Sequence, residues 1–75
     1  MKFEFIDYYR SLGLNIAYYR KSKAFTQEML AEKVNVDHTH LSKVEAASVG
    51  ISLDLLFAIA EALEVPPHKL LEFRE

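Results

Sequence analysis

The 75-residue chain contains no cysteine and no tryptophan, and only two glycines and two prolines. Without cysteine there is no disulfide to staple so short a chain and no thiolate to hold a metal. Stability must come from well-packed helices or from a partner subunit. So few glycines and prolines leave little to build an inter-domain linker, and no stretch is of low complexity. No segment alternates polar and apolar residues long enough to make a strand. No run approaches the roughly 18 apolar residues that cross a membrane. Glu4 and Asp7 interrupt the only early apolar stretch, so no secretory signal is expected there. Catalytic patterns are missing too. There is no phosphate-binding loop and no recognisable Ser/His/Asp set, so an enzyme is not expected. Neither a cofactor nor a small-molecule ligand is suggested. The expectation is one cytoplasmic, all-α domain spanning residues 1–75, with no membrane partner.

What is present is apolar and helical in rhythm. Hydrophobic residues make up 51% of the chain, which suits a packed fold, and the formal net charge is −2. Phe5, Tyr9, Leu12, Ile16 and Tyr19 recur at steps of three and four, which predicts a first helix from about Phe5 to Ser22. Gly13 falls inside it, where it serves close packing or marks a break. Thr26 is a good N-cap for a second helix carrying Leu30, Ala31 and Val34. Asn35 suits the left-handed residue that ends it. Asp37 caps a third helix that runs to about Ala46 with Leu41 and Val44 inward. Gly50 lies in a loop, Ser52 caps a fourth helix over Leu53 to Leu63, and Pro66 and Pro67 stop it. Pro67 also suits the first position of a fifth helix ending near Phe73. Two short helices separated by about three turn residues have helix-turn-helix spacing.

Three blocks in register carry a resemblance. LGLNIAYYR, FTQEMLAEKVNVDHTHLSKVE and SLDLLFAIAEALEVPPHKLLEF resemble the lambda-repressor-like, Cro-type helix-turn-helix family, also called XRE. The resemblance covers about Leu12 to Leu71. It implies a five-helix, lambda-repressor-like domain, here with an N-terminally extended first helix. It also implies a transcriptional regulator that binds double-stranded DNA. The helix from Asp37 to Ala46 would enter the major groove, the groove in which all four base pairs are distinguishable. Matching positions then assign DNA contacts to Thr26 and Gln27, to His38, Thr39 and His40, and to Ser42 and Lys43. Arg20 and Glu45 match positions that pair with each other and tie the first helix to the third.

Other features bear on partners. His38 and His40 point different ways on a helix, and no third ligand stands at metal spacing, so no metal site is expected. Many relatives have glycine where this chain has Ala24, Asn35 and Ala47. Alanine resists the left-handed conformation, so the turns at Ala24 and Ala47 are expected to depart from the usual geometry. The loop after Glu45 reads AASVGIS and lacks the cations that often meet phosphates. Together with the acidic net charge, that loop favours an alternative, a protein-interaction module (antitoxin-like, or a regulatory partner) with weak or no DNA binding. The aromatics before Leu12, with Leu55, Phe57 and Phe73, exceed what one small core needs. They predict a homodimer on a pseudo-palindromic operator.

Overall fold

A computed structural model describes residues 1–73. Among them, five α-helices follow a single 3-10 turn at Phe3–Phe5. The helices are α1 (Ile6–Ser22), α2 (Gln27–Lys33), α3 (His38–Glu45), α4 (Leu53–Leu63) and α5 (Pro67–Leu70). No helix of the described residues is long and apolar enough to cross a membrane.

Each of the three middle helices starts where its sequence cap stands. The Thr26 hydroxyl accepts from the Met29 amide at 3.1 Å, the Asp37 carboxylate from Thr39 at 3.0 Å, and the Ser52 hydroxyl from Leu55 at 3.1 Å. Each bond satisfies a donor that the first helical turn leaves unpaired. Helix ends follow one device as well. Ala24, Asn35, Ala47 and Glu64 all take the left-handed conformation, with φ of 58°, 58°, 59° and 59°. After α1, the amides of Ala24 and Phe25 return to the carbonyls of Lys21 and Arg20, and the same pair of bonds recurs after α2, α3 and α4. This is the Schellman motif. The expected departure at Ala24 and Ala47 therefore does not occur. The two carbonyl bonds at each helix end outweigh the alanine's steric cost of about 1–2 kcal/mol.

The core joins all five helices. Ile16, Leu30, Leu41, Ile59 and Leu70 are wholly buried, with Leu12, Val44, Leu56 and Leu63 beside them. Three expectations need correction here. α1 begins at Ile6, and Phe5 is exposed, because the 3-10 turn swings it off the buried stripe. Leu55 belongs to the core edge rather than to a surplus apolar surface. α5 stops at Leu70 rather than near Phe73, because the Asn15 amide draws the Leu70 and Glu72 carbonyls to itself, both at 3.0 Å.

Gly13 resolves in favour of close packing. α1 runs unbroken through it, and the backbone of the last turn of α3 lies directly against its Cα. A methyl group there would sit 2.9 Å from the Glu45 carbonyl carbon and 3.1 Å from the Val44 carbonyl oxygen. The absence of a side chain at Gly13 sets how closely α1 supports α3.

Candidate nucleic-acid interface

α3 is held from beneath and open above. Leu41 and Val44 anchor its inner side in the core. His38, Thr39, His40 and Lys43 stand exposed on the outer side, with Ser42 half-buried. Thr39 and Lys43 are four residues apart and form one outward row, while His38 and Ser42 form a second row nearer α2. Lys43 is the one lysine or arginine in α3. The surface that the sequence assigned to recognition is thus polar, outward and sparingly charged.

The register of α3 is fixed by a buried carboxylate at its end. Arg20 of α1 donates from Nε to Glu45 Oε2 at 2.7 Å and from Nη2 to Oε1 at 3.0 Å. A third donor, Nη1, reaches the Phe25 carbonyl at 2.9 Å. The two side chains are only 10% and 7% exposed, so this ion pair lies out of solvent. A paired, fork-on-fork guanidinium and carboxylate has strict geometry. It ties the C-terminal end of α1 to the last residue of α3, and through Phe25 to the loop that leads into α2. The pairing that the resemblance implied is therefore present.

A second connection was not legible in the sequence. Gln27, the first residue of α2, donates from Nε2 to Glu45 Oε1 at 3.0 Å. Its carbonyl oxygen lies 3.2 Å from His38 Nε2. A chain of hydrogen bonds thus runs from Arg20 through Glu45 and Gln27 to His38, from the buried pair to the leading residue of α3. Gln27 is half-buried and both ends of its amide are engaged within the fold. His38 also has Glu28 nearby, with Nδ1 to Oε1 at 3.9 Å. The signal available in sequence was the placement of Gln27 and His38 at the first positions of consecutive short helices. That placement does not disclose that Glu45 reaches back to meet them.

Thr26 is exposed and its hydroxyl oxygen is used in capping α2. Among the described residues no group of three His, Asp or Glu side chains converges to hold a metal.

A separate apolar surface lies along the start of α1. The Phe5 and Tyr8 rings stack with centroids 6.2 Å apart, and Tyr8 stacks on Phe73 at 5.9 Å. With Leu53 and Leu71 they border an open groove of about 390 Å³. Phe57 is exposed on α4, as expected.

Comparison with known proteins follows the same geometry. A helix-turn-helix family model matches residues 16–70. Control protein C.BamHI of Bacillus amyloliquefaciens is 36% identical over 62 residues, covering 81% of this chain and 76% of that protein. Control protein C.SmaI of Serratia marcescens is 33% identical over 67 residues, covering 89% and 80%. Among solved structures, the hypothetical transcription factor NHTF from Neisseria superposes with a TM-score of 0.85 at 32% identity, over 88% of this chain and 76% of that one. The restriction-modification controller protein C.AhdI from Aeromonas hydrophila superposes with a TM-score of 0.79 at 28% identity, over 81% and 92%.

Proposed function

The chain belongs to the helix-turn-helix family of Cro/C1-type DNA-binding transcriptional regulators, and from that premise we propose that it acts as a homodimer that reads a pseudo-palindromic operator with α3. One observation carries the reading. The exposed side chains of α3 are polar, and the helix beneath them is locked in place by the core and by Arg20, Glu45 and Gln27. A reading helix must hold its register while its outer side chains reach base edges, and this arrangement has both properties.

On this reading Thr39 and His40 reach base edges from the exposed side of α3. Lys43 meets a phosphate, since a single flexible ammonium is a point charge rather than a shaped reader. Thr26 and Ser42 lie at the margins, where hydroxyls serve the backbone. Gln27 acts mainly by orienting His38, because its amide is already engaged. The similarity to regulators supports a non-enzymatic role, and a DNA partner fits a cytoplasmic setting.

Size supports the dimer. Two half-sites one helical turn apart lie about 34 Å from centre to centre. One copy carries a single α3 and is 30 Å in its longest dimension, so reading both half-sites takes two copies. The exposed row of Phe5, Tyr8 and Phe73 with Leu53 offers an apolar surface for a second copy to cover.

Selection of bound sequences from a random DNA pool tests the function. The expected result is a site with two inverted halves whose binding weakens as salt rises. Sedimentation tests the assembly, with a dimer expected and Tyr8→Asp shifting it to monomer. A wild-type monomer at high concentration that still bound inverted halves no better than one half would overturn the dimer reading.

A further inference from the structure

The hydrogen-bond chain that ends at His38 has a polarity, and the polarity places a proton. Glu45 accepts two hydrogen bonds from the Arg20 guanidinium and one from Gln27. An ionised carboxylate can only accept. The atom of Gln27 that faces it must therefore be the amide nitrogen. A flipped amide would set its carbonyl oxygen against a buried carboxylate oxygen. This chemistry fixes an orientation that atom positions by themselves leave ambiguous. The Gln27 carbonyl oxygen is then committed to the His38 side, 3.2 Å from Nε2. Two lone pairs facing each other at that distance would repel, so Nε2 must carry hydrogen. No comparable bond draws the proton to Nδ1. Its acidic neighbour, Glu28, is 3.9 Å away and its carboxylate is 80% exposed.

We propose that neutral His38 is held as the Nε2–H tautomer by Gln27, so that Nδ1 stands at the leading end of α3 as a bare hydrogen-bond acceptor and selects a base with a major-groove amino group, adenine or cytosine. This rests on the regulator reading and adds the chemistry of one position to it. A bare nitrogen cannot bond a phosphate oxygen, nor the N7 and O6 acceptors of guanine, nor O4 of thymine. In the major groove, adenine N6 and cytosine N4 are the amino donors. His38 is thus a base reader, and Gln27 is the positioning residue that sets the form in which it reads. The buried Arg20–Glu45 pair is the origin of the order, since it makes Glu45 an obligate acceptor.

Two measurements test this. In free, nitrogen-15-labelled protein at about pH 8.5, above the range in which imidazoles change charge, long-range proton–nitrogen correlation identifies which ring nitrogen is bare. The expected pattern for His38 is protonated Nε2 and bare Nδ1, shifting toward a mixture of tautomers in Gln27→Ala. A protonated Nδ1, or a pattern unmoved by Gln27→Ala, overturns the placement. The second measurement is selection from a random pool. The position read by His38 is the one whose preference vanishes in His38→Ala. Adenine or cytosine is expected there, and His38→Lys, which only donates, should move the preference to guanine by about tenfold. Guanine or thymine selected by the wild type, with a clear operator elsewhere, overturns the inference and leaves the regulator reading intact. Enrichment of no site overturns the regulator reading and the base contact with it, while the ring spectrum still decides the proton's place.

Discussion

Replacing Gly13 by alanine should destabilise the protein, against the usual direction for an interior helical glycine. By helix propensity alone, Gly13→Ala gains about 1 kcal/mol. The structure opposes that gain at a specific place. The new methyl would lie 2.9 Å from the Glu45 carbonyl carbon and 3.1 Å from the Val44 carbonyl oxygen, with the Glu45 oxygen nearer still. Ordinary contacts of this kind fall at about 3.5–4 Å. The obstructing atoms are backbone, so no side chain can rotate away, and α1 must separate from α3. Overpacking of a tight interface costs about 1–3 kcal/mol. A clash with rigid backbone belongs at or beyond the top of that range, and the separation also strains the Arg20–Glu45 pair. The net expectation is a loss of about 2 kcal/mol, or roughly 8–16 °C in Tm for a domain of this size. The assay is thermal and urea unfolding followed by far-UV circular dichroism at a fixed protein concentration, since association shifts apparent stability. Leu14→Ala, at an exposed position one residue along α1, is the control, with a change within about 0.5 kcal/mol. A Gly13→Ala variant as stable as the parent would refute the claim that backbone contact at Gly13 sets the spacing of α1 and α3.

Three further outcomes follow from the same structure. Arg20→Met should cost about 3–5 kcal/mol in urea unfolding by stranding the Glu45 carboxylate, and the double variant Arg20→Met, Glu45→Met should recover much of that loss; a double variant no better than the single would show that the pair is not acting as a unit. Ala24→Gly, at an exposed left-handed residue, should raise stability by up to about 1 kcal/mol, the relief of about 1–2 kcal/mol of steric strain less the extra backbone entropy that glycine loses; buried Ala47 should gain less, because its methyl group is packed. Lys43→Ala should weaken binding to all sequences alike and lower the salt slope by about one, whereas Thr39→Ala or His40→Ala should relax preference at particular base positions, as fluorescence-anisotropy titrations on operator and scrambled DNA would show.

The parts of the fold legible in sequence were those governed by residues within a turn or two of each other. Thr26, Asp37 and Ser52 announce helix starts because an N-cap acts on amides two or three residues ahead, and all three act that way. The α4 boundaries follow from Ser52 and the two prolines. What sequence left open depends on partners far along the chain. Gly13 fits packing or a break equally well until the Glu45 carbonyl, from another helix, is placed against it. The turns at Ala24 and Ala47 were judged by intrinsic preference, which omits the helix-end carbonyls that the turn satisfies. Glu64 adopts the same conformation with no cue at all. In the site, the Arg20–Glu45 pair was legible through the family pattern. The engagement of Gln27 was not, since it requires a carboxylate from the far end of α3 to arrive beside the start of α2.

The sparing charge of the reading face shapes how such a regulator must work. Arg20 lies near α3 but is buried and committed to Glu45, so it is lost to phosphate contact. The stretch Ala46–Ile51 contains no lysine or arginine, and Asp37 and Glu28 set carboxylates near the start of α3. Counterion release by each copy is then small, and with it the sequence-independent part of binding. The remaining polar contacts are short-ranged and depend on orientation, so they favour discrimination over affinity. A single copy held by these alone would bind weakly. Joining two copies makes the second contact intramolecular and raises affinity without adding charge to either face. The buried ion pair and the apolar seam thus answer one another. The first keeps α3 in register by withdrawing a cation from its surroundings, and under the proposed dimerisation the second would make good the affinity that this withdrawal removes.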